Sequence, residues 1–336
     1  MPIRRVATLK DVAAEAGVSK VAVSVVLNGS RSNVGVSAAT RQRILDSAER
    51  LHYRPNPIAR SLRLRSTNVI GLYSGSQYAL ARGGAFLSQI IAGLQDGCEA
   101  HSKDLLVHGT FRGQSVDDIY QELANGKIDG LVLHAPGNDA LVNLLSDASL
   151  PCVVIASPVE ALPSVVADDA GGMRLVAEHL HAAGHRRVAF RQSLLRHSSS
   201  LRRTAGFCAA AASLGMRVQM LSPGPADDQL GPEEVALLES PRTERPSAVV
   251  CWNDTSAYGF MACCAARGIE IPSDIAITGF DGFSAPGIPR WQLTTVRAPW
   301  RAVAKTAVDL LVAHINGEQI PRETALPVTL KTGDTV

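Results

Sequence analysis

The chain has 336 residues, and its 33 Lys or Arg against 31 Asp or Glu leave a formal net charge of only +2. No run of about 20 apolar residues is present to span a bilayer, and the basic start Met-Pro-Ile-Arg-Arg lacks the apolar core of a secretion signal. Membrane insertion and secretion are excluded on this reading, and a cytoplasmic location is expected. The six cysteines show no paired metal spacing and read as buried reduced thiols.

The near-neutral total hides a division. Residues 1 to 66 hold 12 Lys or Arg and 4 Asp or Glu, a net of +8; the remainder holds 21 and 27, a net of −6. A basic head on an acidic body suits phosphate attraction by counterion release.

In chain order, Thr8 is placed to cap a first helix, with Asp11 in its first turn. Leu9, Val12, Ala13 and Ala16 repeat at helical spacing. Gly17 ends that helix, Ser19 caps the next, and Val21 to Leu27 supply it. Two short helices across a glycine turn form a helix-turn-helix, whose second helix enters the major groove of double-stranded DNA. Ser37 caps a third helix with Ile44, Leu45, Ala48 and Leu51 on one face. A small basic helix after a proline follows, around Asn56 to Leu62, flanked by Arg60, Arg63 and Arg65. Pro57 is tolerated at a helix start.

From about residue 69 the pattern changes. Apolar β-rich runs at 69–73, 105–107, 131–133, 152–155, 188–190, 248–251 and 275–278 alternate with helical stretches at 86–101, 115–125, 170–183, 199–214, 255–268 and 299–316. This alternation predicts parallel sheets covered on both faces. A stretch this long suits two lobes, with a small-molecule cleft between them beyond the carboxyl ends of the strands.

Other chemistries find little support. There is no Gly-x-Gly-x-x-Gly, no P-loop and no Gly-x-Ser-x-Gly. His179 and His181 are two residues apart and diverge on a helix, so with His185 they do not read as a metal site. No nucleophile or acid–base pair stands out. The chain reads as a non-enzyme without catalytic residues, cofactor or metal.

The head contains Thr-Leu-Lys-Asp-Val-Ala at 8 to 13, Ala-Gly-Val-Ser at 16 to 19, Val-Ser at 23 to 24, Leu-Asn-Gly at 27 to 29, Val-Ser-Ala-Ala-Thr-Arg at 36 to 41 and Tyr-Arg-Pro-Asn-Pro-Ile-Ala-Arg-Ser-Leu at 53 to 62. In these motifs it resembles the DNA-binding head of the lactose-repressor/galactose-repressor (LacI/GalR) family. The remainder resembles the family's effector domain at Ile-Asp-Gly-Leu-Val (128 to 132), Ala-Gly-His-Arg-Arg-Val-Ala (183 to 189), Arg203 with Ala-Gly-Phe (205 to 207), Trp252-Asn-Asp254, Thr278-Gly-Phe-Asp281 and Leu-Thr-Thr-Val-Arg (293 to 297).

The resemblance implies an α/β fold: an all-α helix-turn-helix headpiece at 1–55, a hinge helix and linker at 56–68, and an effector-binding domain at 69–334 with two Rossmann-like lobes of periplasmic-binding-protein type. Lobe 1 would take about 69–166 and 297–323, and lobe 2 about 167–293 and 324–334. It further implies a ligand-responsive regulator, a repressor, that binds a palindromic operator as a homodimer. Its DNA affinity would be set by a small sugar-like effector or related polyol. The DNA-binding set carried over by position is Thr8, Ser19, Lys20, Val21, Ser24, Val25, Asn28, Tyr53, Asn56, Ala59 and Leu62. Leu62 would wedge the central base step. The effector set is Phe86, Arg203, Trp252, Asn253 and Asp281, chemistry suited to a hydroxyl-rich ligand.

On residue type alone, Arg203 also fits a solvated helix position, Asp281 an Asx turn before Gly282, Asn253 and Asp254 a helix cap, and Phe86 a core position. Phe280, Phe283 and Trp291 are further candidate walls. Ala156 departs from the family, where a polar residue is common at the cleft, and the segment Tyr78 to Phe86 is also unusual. A soluble sugar-binding or sugar-processing α/β protein with an accessory helical domain stays open as the alternative, as does an architectural DNA binder without an effector.

Many family members carry Arg at the position of Val25. Valine cannot make arginine's bidentate contact to guanine but meets a thymine methyl. Val25→Arg is therefore expected to shift the base preferred in the operator half-site. In vitro selection with both proteins checks this, and an unchanged selected sequence would remove Val25 from the base-reading face.

Overall fold

A computed structural model describes residues 7–28, 35–54, 61, 66–75, 84–109, 111, 113, 115–135, 139–194, 197–226, 229–284 and 291–336. The chain divides into a head, up to Asn68, and a body, Val69–Val336.

The head contains α1 (Leu9–Ala16), α2 (Lys20–Asn28) and α3 (Ala38–Arg50). Thr8 and Asp11 form a capping box at the start of α1. Gly17 ends that helix in the left-handed region at φ 64°, a conformation that costs a residue without Cβ little. Ser19 accepts from the Ala22 N–H and Ser37 from the Thr40 N–H, so each following helix starts on a hydroxyl cap. Val12, Ala13, Ala16, Ala22, Val23, Ile44 and Ala48 form the small core. Leu45, expected on the inner face of α3, is instead 42% exposed: Ile44 and Ala48 already fill the inward row, and the next residue along turns outward. Arg50 meets Glu15 at 2.8 Å and ties α3 to α1.

The body holds two six-stranded sheets. The first comprises β1 (Val69–Ser74), β2 (Asp104–Val107), β3 (Gly130–His134), β4 (Cys152–Ile155), β5 (Ser164–Ala167) and β11 (Glu323–Leu326), in the order β11-β5-β4-β3-β1-β2. All of its pairs are parallel. The second comprises β6 (Arg187–Arg191), β7 (Arg217–Leu221), β8 (Ala248–Cys251), β9 (Ala276–Asp281), β10 (Thr294–Arg297) and β12 (Thr329–Lys331), in the order β12-β10-β9-β8-β6-β7. It is parallel except for β12, which runs antiparallel to β10.

Helices α4 (Ala85–Ala100), α5 (Val116–Leu123), α6 (Ala140–Ser146), α7 (Asp169–Ala182), α8 (Ser198–Ser213), α9 (Pro232–Glu239), α10 (Asp254–Ala265) and α11 (Trp300–Ile315) supply the crossovers. Central strands such as β4 and β8 are buried throughout, which is why they are continuous apolar runs, whereas the edge strands β2, β7 and β11 are largely exposed or half-buried.

The chain passes between lobes three times, after β5, after β10 and between β11 and β12. Two expected boundaries therefore move. β10 belongs to the second sheet, so that lobe runs past 293, and β11 belongs to the first, so that lobe runs past 323. Backbone pairing decides both: Thr294 lies beside Thr278, and Thr324 beside Val165.

Lobe 1 is sealed by a close seam between α4 and α11. A Cβ on Gly93 would come within 2.0 Å of the Arg301 carbonyl oxygen, and one on Gly97 within 2.6 Å of Val308 Cβ. Asp96–Arg301 and His101–Asp309 pairs flank the seam. Gly93→Ala is expected to force the helices apart and cost about 1–3 kcal/mol. Thermal unfolding followed by circular dichroism reads this as a lowered Tm; an unchanged Tm would show that the seam opens freely.

Candidate functional site

A cavity of about 440 Å³ lies where the carboxyl ends of the two sheets meet. Lobe 1 contributes Phe86 at the start of α4, His134 at the end of β3, and Ala156 and Ser157 just past β4. Lobe 2 contributes His197 and Arg203 at α8, Trp252 and Asn253 just past β8, Tyr258 on α10, and Asp281 at the end of β9 with Phe283 beyond it. Trp300, the first residue of α11, lies where the chain has just crossed back.

Phe86, Arg203, Trp252, Asn253 and Asp281 thus share one cavity. Arg203 is 2% exposed, so it is no solvated helix residue. Its Nε donates to Asp169 Oδ1 at 2.8 Å and its Nη1 to the Trp252 carbonyl at 3.0 Å, with Asp281 Oδ1 at 3.5 Å from Nη1. The guanidinium lies 3.7 Å over the Phe280 ring. Phe280 is therefore the floor beneath Arg203 and not a cavity wall. Trp291 is no wall either: it packs against lobe 2's other apolar cluster and donates to the Ile271 carbonyl. Asn253 has two duties, since its Oδ1 caps α10 by accepting from the Ser256 N–H at 2.8 Å while the residue faces the cavity.

The electrostatics follow from burial. Asp281, at φ 125°, is 8% exposed. Desolvation pushes its carboxyl up to about 8 against the pull of Arg203, and the neighbouring Asp254 pushes the same way. Asp254 is raised to about 6, again by burial, although the Thr295 hydroxyl donates to it at 2.5 Å and the Phe283 N–H at 2.6 Å. Asp169 is raised by burial and opposed by Arg203.

The imidazoles move the other way. Burial lowers His134 to about 3 and His197 to about 4, so both rings are neutral. His197 Nδ1 accepts from the Ser200 N–H at 3.2 Å as the cap of α8, which leaves the ring proton on Nε2. His134, Ser157, His197, Tyr258 and Trp300 escape sequence reasoning. The only textual signal was their place just beyond a strand or at a helix start. Ser157 Oγ is buried and has no hydrogen-bond partner among the described residues.

In the head, Lys20, Val21, Ser24, Val25 and Asn28 all lie on α2. Thr8 is held at the α1 cap, its hydroxyl 2.7 Å from Asp11 Oδ2. Tyr53 packs against the head core, and burial raises its phenol. Asn56, Ala59 and Leu62 lie outside the described residues, as do Tyr78 to Gly83.

Comparison with known proteins agrees at both ends of the chain. The family described as "Bacterial regulatory proteins, lacI family" matches residues 8–56, and "Periplasmic binding protein-like domain" matches 177–336. The HTH-type transcriptional repressor PurR of Vibrio atlanticus (strain LGP32) is 30% identical over 321 residues, covering 92% of each chain. The chain belongs to the LacI family. The PurR of Erwinia tasmaniensis is 29% identical, covering 95% of this chain and 93% of its own.

Among solved structures, the Lac repressor dimer bound to operator and the anti-inducer ONPF superimposes with a TM-score of 0.81 at 25% identity, covering 98% of this chain and 99% of the other. The transcriptional regulator CelR–cellobiose complex gives 0.70 at 26% identity, covering 98% and 100%. This LacI-family member is a DNA-binding transcriptional repressor with an effector-binding domain. Its relatives are regulators and not enzymes. Among the described residues, no helix is long and apolar enough to cross a membrane.

The raised carboxyls give stability a pH dependence of known sign. Between its ordinary value of 3.8 and its folded value of about 8, Asp281 keeps its proton in the folded chain and loses it in the unfolded one. Stability therefore falls as pH rises through that window. The depressed histidines act oppositely, but chiefly below their ordinary value of 6.5. Above pH 6.5 the histidine effect fades and the carboxyl effect comes to dominate, so the Tm of the wild type is expected to fall toward pH 8 and that of Asp281→Asn to fall less. Calorimetry at several pH values measures both slopes, and equal slopes would take Asp281 out of the account.

Proposed function

We propose that this repressor binds a palindromic operator as a homodimer and that a small, uncharged, hydroxyl-rich effector in the cleft between its lobes sets its DNA affinity. Phe86, Arg203, Trp252, Asn253 and Asp281 serve as its effector contacts. The observation that carries the reading is the convergence of Arg203, Asn253 and Asp281 from lobe 2 opposite Phe86, His134 and Ser157 from lobe 1, so that one bound molecule touches both lobes. A carboxyl accepts from hydroxyls, a guanidinium donates in a plane, an amide does both, and the aromatic walls pack on apolar ring faces. The solved neighbour CelR is a complex with cellobiose, a ligand of this chemical class.

On the DNA side, Thr8, Ser19, Lys20, Val21, Ser24, Val25, Asn28 and Tyr53 contact the operator, and Asn56, Ala59 and Leu62 act in a hinge. The net of +8 in the first 66 residues supplies the sequence-independent attraction. Effector and operator are coupled through lobe closure. An effector shifts that equilibrium only by the difference in its affinity for the two closure states.

The test has two parts. Thermal-shift screening against sugars, nucleosides and small acids finds the effector, because a ligand at about 100 times its Kd stabilises by about 2.7 kcal/mol. Phe86→Ala, which leaves the buried Arg203 pairs intact, is then expected to keep operator binding within about twofold in a gel shift, an effect no larger than about half a kcal/mol, and to weaken the effector response. An unaltered response in Phe86→Ala sinks the assignment of the cleft. No DNA binding at low salt, together with turnover of a sugar, sinks the regulator reading itself.

A further inference from the structure

Helix α2 breaks a local rule. Four of its nine residues are valines, and β-branched side chains are poor helix formers when exposed. Two have a reason in the core: Val23 is fully buried and Val26 packs against the same cluster. Val21 and Val25 do not share it. Val21 is 50% exposed, and Val25, one turn later on the same face, is half-buried. Neither valine belongs to the head's apolar cluster, so the pair gains less from the head's own packing, and violations of this kind concentrate where a chain works.

The polar groups on that face are committed elsewhere. The Ser19 hydroxyl accepts from the Ala22 N–H at 3.2 Å. Ser24 Oγ accepts from Asn28 Nδ2 at 3.4 Å. The helix contains no Arg, Gln, Glu, Asp or His, and its one amide, Asn28, is its last residue. The side chains that read guanine or adenine by paired hydrogen bonds are therefore missing from the middle of the face. What remains there is apolar, with Lys20 beside it as a cation.

The major groove offers one apolar group for such a face, the C5 methyl of thymine. The head's net of +8 directs this surface to DNA and opposes a second copy of the same head as its occupant.

We propose that Val21 and Val25 form a methyl-reading pair that seats the C5 methyls of pyrimidines on neighbouring base pairs. Thymine satisfies it, and 5-methylcytosine, which carries the same methyl on the same ring carbon, satisfies it in place of thymine. Cytosine methylation within a half-site thereby becomes a second input to operator choice. This rests on α2 entering the major groove as proposed above.

The full-length protein is used to select a site from random duplexes. The selected duplex is then resynthesised with deoxyuridine for thymine, one position at a time, and with 5-methylcytosine for cytosine. Each methyl removed opposite the pair is expected to weaken binding about 3- to 5-fold, the value of one buried carbon. A 5-methylcytosine placed at those positions is expected to bind more tightly than cytosine by a similar factor. Val21→Ala and Val25→Ala are expected to lose more affinity for the thymine duplex than for the uracil duplex and so to erase the thymine-over-uracil ratio. Alanine favours helix, so both variants keep the fold.

Equal affinity for thymine and uracil duplexes overturns the proposal, as does an equal loss on both in the alanine variants. Enrichment of no sequence at all overturns the major-groove reading on which it rests, a result distinct from either of these.

Discussion

The desolvated guanidinium of Arg203, one of two so buried among the described residues, organises the lobe 2 side of the cleft. Arg203 has given up water for Asp169, the Trp252 carbonyl, the edge of Asp281 and the face of Phe280. Taking away one partner of such a buried pair typically costs about 3–5 kcal/mol, because the other charge is left uncompensated. The cation therefore fixes the start of α8 against β9 and the turn after β8, and those three segments carry the lobe 2 wall of the cleft. The same charge restrains Asp281, whose carboxyl is pulled toward ionisation by Arg203 and away from it by burial and by Asp254.

Much of this was legible in the text of the chain, and the exceptions share a cause. The buried central strands β4 and β8 coincide residue for residue with apolar runs, because burial on both faces demands such a run. The strands that escaped were mostly at edges. β7 (Arg-Val-Gln-Met-Leu) and β11 (Glu-Thr-Ala-Leu) show water one side or more, and their membership is decided by backbone pairing, which side chains do not record. β5 is buried, but at four residues after a proline it is too short to show a period. The cavity divides likewise. Arg203 and Asp281 stand in motifs, whereas His134, His197 and Trp300 are single residues given meaning only by where strands and helices end.

The head shows the complementary case. Its caps at Thr8, Ser19 and Ser37 and its turn at Gly17 are local devices, and local devices can be read directly. Leu45 could not be, because helical spacing alone offers it and Ile44 to the same core, and only the packed head shows that Ile44 is the one buried.

The threading of the body has a consequence for how the protein is made. The first sheet begins at Val69 yet takes its outer strand from Glu323–Leu326, and its seam helix α11 ends only at Ile315. On a ribosome that delivers the chain from its amino end, lobe 1 waits with one flank of its sheet uncovered while all of lobe 2 except β12 is synthesised. Contacts so distant in sequence slow folding, and open strand edges invite pairing with other chains. The head's described core and its Glu15–Arg50 pair lie within the first 68 residues, so that unit has no such wait: its partners have all been delivered before the first strand of lobe 1 begins.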